Sequence, residues 1–342
     1  MYQRATLSNG IRILTSRMSH VRSVSIVFHF GVGSRYEPAE SSGVSHFIEH
    51  MLFKGSERYP TAQIISETVE GVGGILDAET GKEVTVYSAK IASRHFDLAT
   101  NLLADMVRFP RFDPAEIEKE RRVIIEELNM YRDSPQDWVS VLGEEAFWPN
   151  LPLGREVAGT RETVESLTSE TMQCYRASHY VPSNLVIAVV GDAEHEQVIE
   201  TLSRLLGDWP AGVAPLWTPS EPPLDAPRVR LETRRTEQTN LCLYMPGLSR
   251  KDPDYYALGL LNAVLGDGMS SRLFLTVREQ QGLAYDVSSG PLHYHDTGAF
   301  VVYAGVEPKR AQAAVRAILA ELAKLRAEPV RADELSRAKE YT

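Results

Sequence analysis

Two histidines, His46 and His50, stand four residues apart with Glu49 directly before the second, in the stretch GVSHFIEHMLFKG at 43–55. On an α-helix, positions i, i+3 and i+4 share one face, so the three side chains point the same way. Two imidazoles spaced in this way can converge on one tetrahedral Zn²⁺, and a glutamate beside them can take a proton from a metal-activated water. The order is H-x-x-E-H, the inverse of H-E-x-x-H, and its geometry serves equally well. A catalytic zinc also needs a third protein ligand. The best source is EIEKERRVIIEEL at 116–128, where Glu120 and Glu127 lie two turns apart beside the apolar stripe Ile117, Ile124 and Leu128. One of the two can ligate while the other orients a ligand histidine. Spacing alone leaves a solvated acidic face equally open, and Glu126 competes with Glu127, although it falls less clearly on the side of Glu120.

The surrounding sequence shows what must position these groups. GIRILTS is a short β run, and Val24, Ile26, Phe28 and Phe30 alternate with smaller or polar residues, as in a half-buried strand. GVGSRYEPAESSG is rich in turn and cap residues and leads into the helix that carries the histidines. A second helix opens at FDPAEIEKERR, with Asp113 as N-cap, Pro114 in the first turn and Glu116 as the N3 partner of a capping-box-like arrangement. NLVIAVVGD at 184–192 reads as a buried strand. Six prolines fall within 210–227, which makes that stretch a semi-rigid linker. The expected division is therefore an N-terminal zinc-binding domain, 1–209, the linker, and a C-terminal domain, 228–342.

The second half repeats the first faintly. SRYEPAESSGVSHFIEHML at 34–52 lines up with SRKDPDYYALGLLNAVLGD at 249–267. At this offset of 215, His46 falls on Leu261, Glu49 on Val264 and His50 on Leu265, so the second copy keeps the helix and loses every polar group of the motif. RADELSRAKEYT at the C-terminus resembles the start of the DPAEIEKERR helix, and the second domain is expected to be truncated there.

At 342 residues the chain exceeds one ordinary core. A net charge of −10 speaks against a nucleic-acid binder. Cys174 and Cys242 are the only cysteines, which fits a reducing compartment. The start MYQRATLSNGIRILTS has no apolar signal core, and no membrane partner is expected. His293 and His295 share one strand face but have no acid or cysteine partner, and read as a solvated strand.

These motifs together resemble the pitrilysin or insulinase-type zinc peptidases. The similarity is greatest to their short two-domain branch, which includes bacterial processing-protease homologues and the mitochondrial processing peptidase β subunit. HFIEHMLFKG, ERRVIIEELNMY with a glutamate 77 residues after His50, GGILDAETGKEVTVYSAKI, LPLGREVAGT and SSRLFLTVREQQGLAYDVSS carry the resemblance over nearly the whole chain. It implies an α+β fold of two homologous domains, each a mostly antiparallel sheet with helices on one face. It also implies one Zn²⁺ per chain held by His46, His50 and Glu127, with Glu49 as general base and Glu120 orienting a ligand. The substrate strand would be Gly74 to Thr80, with Gly74, Asp77, Ala78 and Glu79 as binding residues. Asp77 stands where family members commonly carry Asn, and Glu79 where an aromatic is frequent. Arg278 and Tyr285 by themselves read as a helix-end cation capped by Gly282 and a strand residue. The resemblance makes them oxyanion donors reaching the zinc site from the second domain. The expected protein is a metalloendopeptidase acting on peptides or unfolded segments. It would be a homodimer of the bacterial cytoplasm, although a mature organellar matrix protein would read the same way. The alternative is a noncatalytic scaffold subunit of the same fold.

Overall fold

The computed structural model describes residues 2–222 and 226–342. By packing the chain divides into two compact units, 1–129 with 155–218, and 130–154 with 219–342.

The first unit is built on a six-stranded sheet. Its strands are β1 (Gln3–Thr6), β2 (Arg12–Arg17), β3 (Ser23–Phe30), β4 (Ile75–Thr80), β5 (Thr85–Ala92) and β6 (Leu185–Gly191). Their order is β1-β2-β6-β3-β5-β4, and every pairing is antiparallel except β2 with β6. The alternation in β3 has its expected physical meaning: Val24, Ile26, Phe28 and Phe30 are fully buried and the residues between them are not. β6 is the expected buried strand, buried on one face. Leu185, Ile187 and Val189 are buried, whereas Val190 is exposed on the opposite face, because the helices cover one side of this sheet only.

Those helices are α1 (Val44–Leu52), α2 (Ala62–Glu70), α3 (Phe96–Arg108) and α4 (Pro114–Asp133), whose last turn belongs to the second unit. α5 (Pro135–Phe147) also lies in the second unit, and α6 (Arg161–Ser166), α7 (Ser169–His179) and α8 (His195–Leu206) complete the first. Phe47, Ile48, Leu102, Leu103, Ile117 and Ile124 contribute to one core cluster with the inner face of the sheet. At the start of α4 the backbone N–H of Ala115 donates to Asp113 Oδ1 at 2.8 Å. Glu116 pairs with Lys119 at 2.5 Å, an i,i+3 ion pair where a capping box was expected.

The second unit holds β7 (Thr239–Pro246), β8 (Ala284–His293) and β9 (Gly298–Val306) in the antiparallel order β7-β9-β8. Its remaining α-helices are α9 (Tyr255–Leu265), α10 (Ala311–Ala327) and α11 (Ala332–Tyr341), beside a π-helical segment at Phe274–Gln280. Phe300, Val302, Ala304 and Val306 of β9 form a core with Ala314 and Ile318 of α10. α5 was expected in the first domain, yet Phe147, Trp148 and Leu153 cluster with Ala299 and Tyr244 of the second unit. Gly143 lets the helix lie against the Tyr244 ring, where any Cβ would collide.

The faint repeat reappears as architecture. The order β3-β5-β4 recurs as β7-β9-β8, and the 215-residue offset carries the short 3₁₀ turn Ser93–His95 onto Pro308–Arg310. It likewise takes Phe96 at the start of α3 onto Ala311 at the start of α10. Val264 and Leu265, which take the positions of Glu49 and His50, are buried aliphatics. Of the expected linker, 223–225 lie outside the described residues, and the described part of 210–227 contains no helix or strand.

Candidate metal centre

The site begins at the N-terminus of α1. Glu37, fully buried, accepts the backbone N–H of Gly43 at 2.7 Å through Oε2 and that of Ser45 at 2.8 Å through Oε1. These are donors that a helix start leaves unpaired. Burial pushes the Glu37 carboxyl up, while the two N–H groups and nearby Arg155 oppose that shift. Gly43 has φ +92°, a left-handed conformation that favours glycine, and a Cβ there would strike the Ala158 carbonyl.

One turn on, the three expected ligands come together. His46 Nε2 lies 3.7 Å and His50 Nε2 3.6 Å from the same Glu127 oxygen, and one ligand atom from each residue falls within a 4.8 Å set. Two ligands bound at roughly 2.1 Å to a tetrahedral metal stand about 3.4 Å apart, so the spacing fits zinc with little adjustment. Glu126 is exposed and is not in that set. Burial first, and then the charge of His50, pushes the His46 imidazole down to about 4. At neutral pH it is therefore an unprotonated ligand. Its Nδ1 is buried without a hydrogen-bond partner.

Glu120, also buried, reaches His50 Nδ1 at 3.1 Å through Oε2, leaving His50 Nε2 directed at the ligand cluster. Its other oxygen takes Lys54 Nζ at 2.7 Å. Burial alone would raise the Glu120 carboxyl, but the hydrogen bonds from His50 and Lys54 outweigh it and hold the group below its ordinary range. Glu49 Oε2 accepts from Thr80 Oγ1 at 2.5 Å. Burial pushes Glu49 up, the Thr80 hydrogen bond and His50 oppose this, and Glu127 and Asp77 add to the rise.

β4 is the last strand of its sheet, and its outer edge pairs with no strand among the described residues. Asp77 and Glu79 are exposed on it, while Leu76, Ala78 and Thr80 alternate toward the helical side. Asp77 Oδ1 accepts the N–H of Ala78 at 3.0 Å. Gly74 packs so closely on Val69 and Ile91 that a side chain would be crowded.

In the second unit Arg278 lies in the π-helical segment Phe274–Gln280, which Gly282 closes with φ +59° and an N–H to the Arg278 carbonyl. Its guanidinium lies over Phe274 at 4.6 Å and Tyr285 at 5.6 Å. Tyr285 is 74% exposed on β8, and so is no core residue of the strand.

Sequence reasoning missed Lys54, and it placed Thr80 at the end of the substrate strand without its bond to Glu49. Lys54 lies four residues past His50, a helical spacing that could have flagged it. Thr80 has no such signal, because its contact spans 31 residues.

A sheet flanked by helices, with an H-x-x-E-H helix facing an acid on a neighbouring helix, defines a class of metal-dependent peptidase folds. The chain belongs to peptidase family M16. The family model described as insulinase (peptidase family M16) matches residues 12–161, and the one described as peptidase M16 inactive domain matches 166–341. The chain is 38% identical over 341 residues to the uncharacterized zinc protease YmxG of Bacillus subtilis (strain 168), covering 99% of this chain and 82% of that one. It is 37% identical to the uncharacterized zinc protease SCO5738 of Streptomyces coelicolor, covering 98% and 74%. The crystal structure of a protease from Helicobacter pylori shares the fold, with a TM-score of 0.95 at 23% identity over 100% of this chain and 83% of that one.

Proposed function

We propose that this chain is a zinc endopeptidase, with one Zn²⁺ held by His46, His50 and Glu127. The observation that carries this reading is the meeting of three ligand atoms within 4.8 Å beside a glutamate that is held by the end of an open-edged strand. When bound, zinc supplies Lewis acidity, polarising a peptide carbonyl and making water nucleophilic at neutral pH. Glu49 accepts and returns the proton; burial raises its affinity for protons, which brings it closer to neutrality than an exposed glutamate. Glu120 fixes His50 through Nδ1.

An extended substrate adds to β4 by main-chain hydrogen bonds, with Gly74, Asp77, Ala78 and Glu79 along its path. Binding of this kind suits peptides and unfolded segments, because backbone groups are common to all sequences. Arg278 and Tyr285 act as donors to the developing oxyanion. The working form is a homodimer in the cytoplasm; among the described residues no helix is long and apolar enough to cross a membrane.

Zinc content and cleavage of a quenched peptide library, compared between the wild type and Glu49→Gln, test the proposal. The variant should retain zinc and lose activity by about 10²–10⁴-fold. A wild type without zinc, or a variant that cleaves as fast, ends the peptidase reading. A zinc-loaded wild type that cleaves nothing favours the noncatalytic assembly subunit.

A further inference from the structure

Two elements must hold register for the proposed chemistry, the helix α1 that carries Glu49 and the strand β4 whose last residue bonds its carboxylate. The segment 33–37 holds both. Past the end of β3 the chain runs beside the β4–β5 turn, with Ser34 N donating to the Gly81 carbonyl at 3.2 Å and Arg35 N to the Lys82 carbonyl at 2.8 Å. Gly33 permits this approach, since a Cβ there would collide with the Gly81 carbonyl. The Arg35 side chain then turns inward and is completely buried. Its Nη1 meets Glu83 Oε1 of the same turn at 2.5 Å, and its Nη2 donates to the Thr218 carbonyl at 3.0 Å. Two residues later Glu37 caps α1.

A buried ion pair is weak evidence of stabilisation, because desolvation of both charges offsets most of their attraction. What a buried guanidinium supplies reliably is geometry, since its planar fork fixes the direction of each bond it makes. Here the fork grips the turn that begins at Gly81, directly after Thr80.

We propose that Arg35 is a positioning residue for the reaction, setting the end of the substrate strand, and with it Thr80, against the Glu49 carboxylate. The inference rests on the reading of Glu49 as the base. Arg35 touches neither the ligands nor the substrate strand's outer edge; it acts through Glu83 and the turn. Arg35→Lys keeps the charge and loses the fork, so the lysine cannot hold both Glu83 and Thr218 in their present directions.

The test is a double-variant cycle on kcat/KM with a cleavable peptide. Arg35→Lys and Thr80→Val should each lower kcat/KM about tenfold, mainly through kcat, with zinc stoichiometry unchanged. The combined variant should lose well under the hundredfold expected of independent sites, because both changes break one linkage. Should Arg35→Lys fail to fold, Glu83→Gln replaces it in the same cycle. Additive losses, or a loss that only follows the folded or zinc-loaded fraction, overturn the positioning role while leaving the base assignment intact. If Glu49→Gln cleaves as fast as the wild type, the base assignment itself falls, and this proposal with it.

Discussion

His46 shows how the site is poised before any metal arrives. Burial, and secondarily His50, hold it at about 4 against an ordinary 6.5. Between those values an unfolded chain binds a proton that the native state refuses, so native stability rises with pH across the window and is lost as pH falls through it. The full shift corresponds to roughly 3 kcal/mol. Urea midpoints of zinc-free protein should therefore drop between about pH 7 and pH 4.5, and His46→Leu should flatten the slope. An identical slope in the variant would mean that other groups carry the acid sensitivity. Much of this residue-level site was legible: i, i+3 and i+4 spacing gave the face shared by His46, Glu49 and His50. Spacing did not choose between Glu120 and Glu127, because a helix face does not say which of two acids a second helix will meet; only the family resemblance assigned them. Only the packing of α4 brings Glu127 to the Nε2 atoms and Glu120 to Nδ1.

At the level of elements, α1 depends on its entry. Glu37 supplies the acceptors that the helix start lacks, and Gly43 supplies the left-handed turn. Gly43→Ala combines an unfavourable φ with a backbone collision, and should cost about 2 kcal/mol or more. Thermal or urea unfolding measures this, and a change under 0.5 kcal/mol, the scale of an ordinary surface substitution, would mean that the entry relaxes freely. The turn-rich run before the helix was readable, but the identity of its cap was not. Glu37 reaches Ser45 across eight residues of irregular chain, and no local rule covers that span. How many faces of β6 are covered was unreadable for a related reason. A β-branched run is compatible with one covered face or two, and only the placement of helices on one side decides.

For the whole molecule, the sequence showed a duplication, while the structure shows how its parts are distributed. The 25 residues from 130 to 154 pack with the second unit, since Phe147, Trp148 and Leu153 find their apolar partners on its sheet. Proline content marked the stretch after 210 and gave no sign of that earlier exchange. Arg278 and Tyr285 belong to this unit, close enough for the guanidinium to lie over the ring. If they serve as the proposed oxyanion donors, Arg278→Ala and Tyr285→Phe should each lower kcat by about 10- to 10³-fold with zinc content intact. Unchanged kcat in both would reduce the pair to a surface stacking contact.

The aliphatic positions of α9 have a consequence for how this molecule divides its labour. One frame occurs twice, and the second copy has aliphatic side chains where the first has Glu49 and His50: Leu265 is wholly buried and Val264 nearly so. The other copy retains histidines and acids that burial penalises. Duplication thus lets selection act on two ends of one chain for different properties, reactivity in the first and cohesion in the second, without asking a single core to supply both.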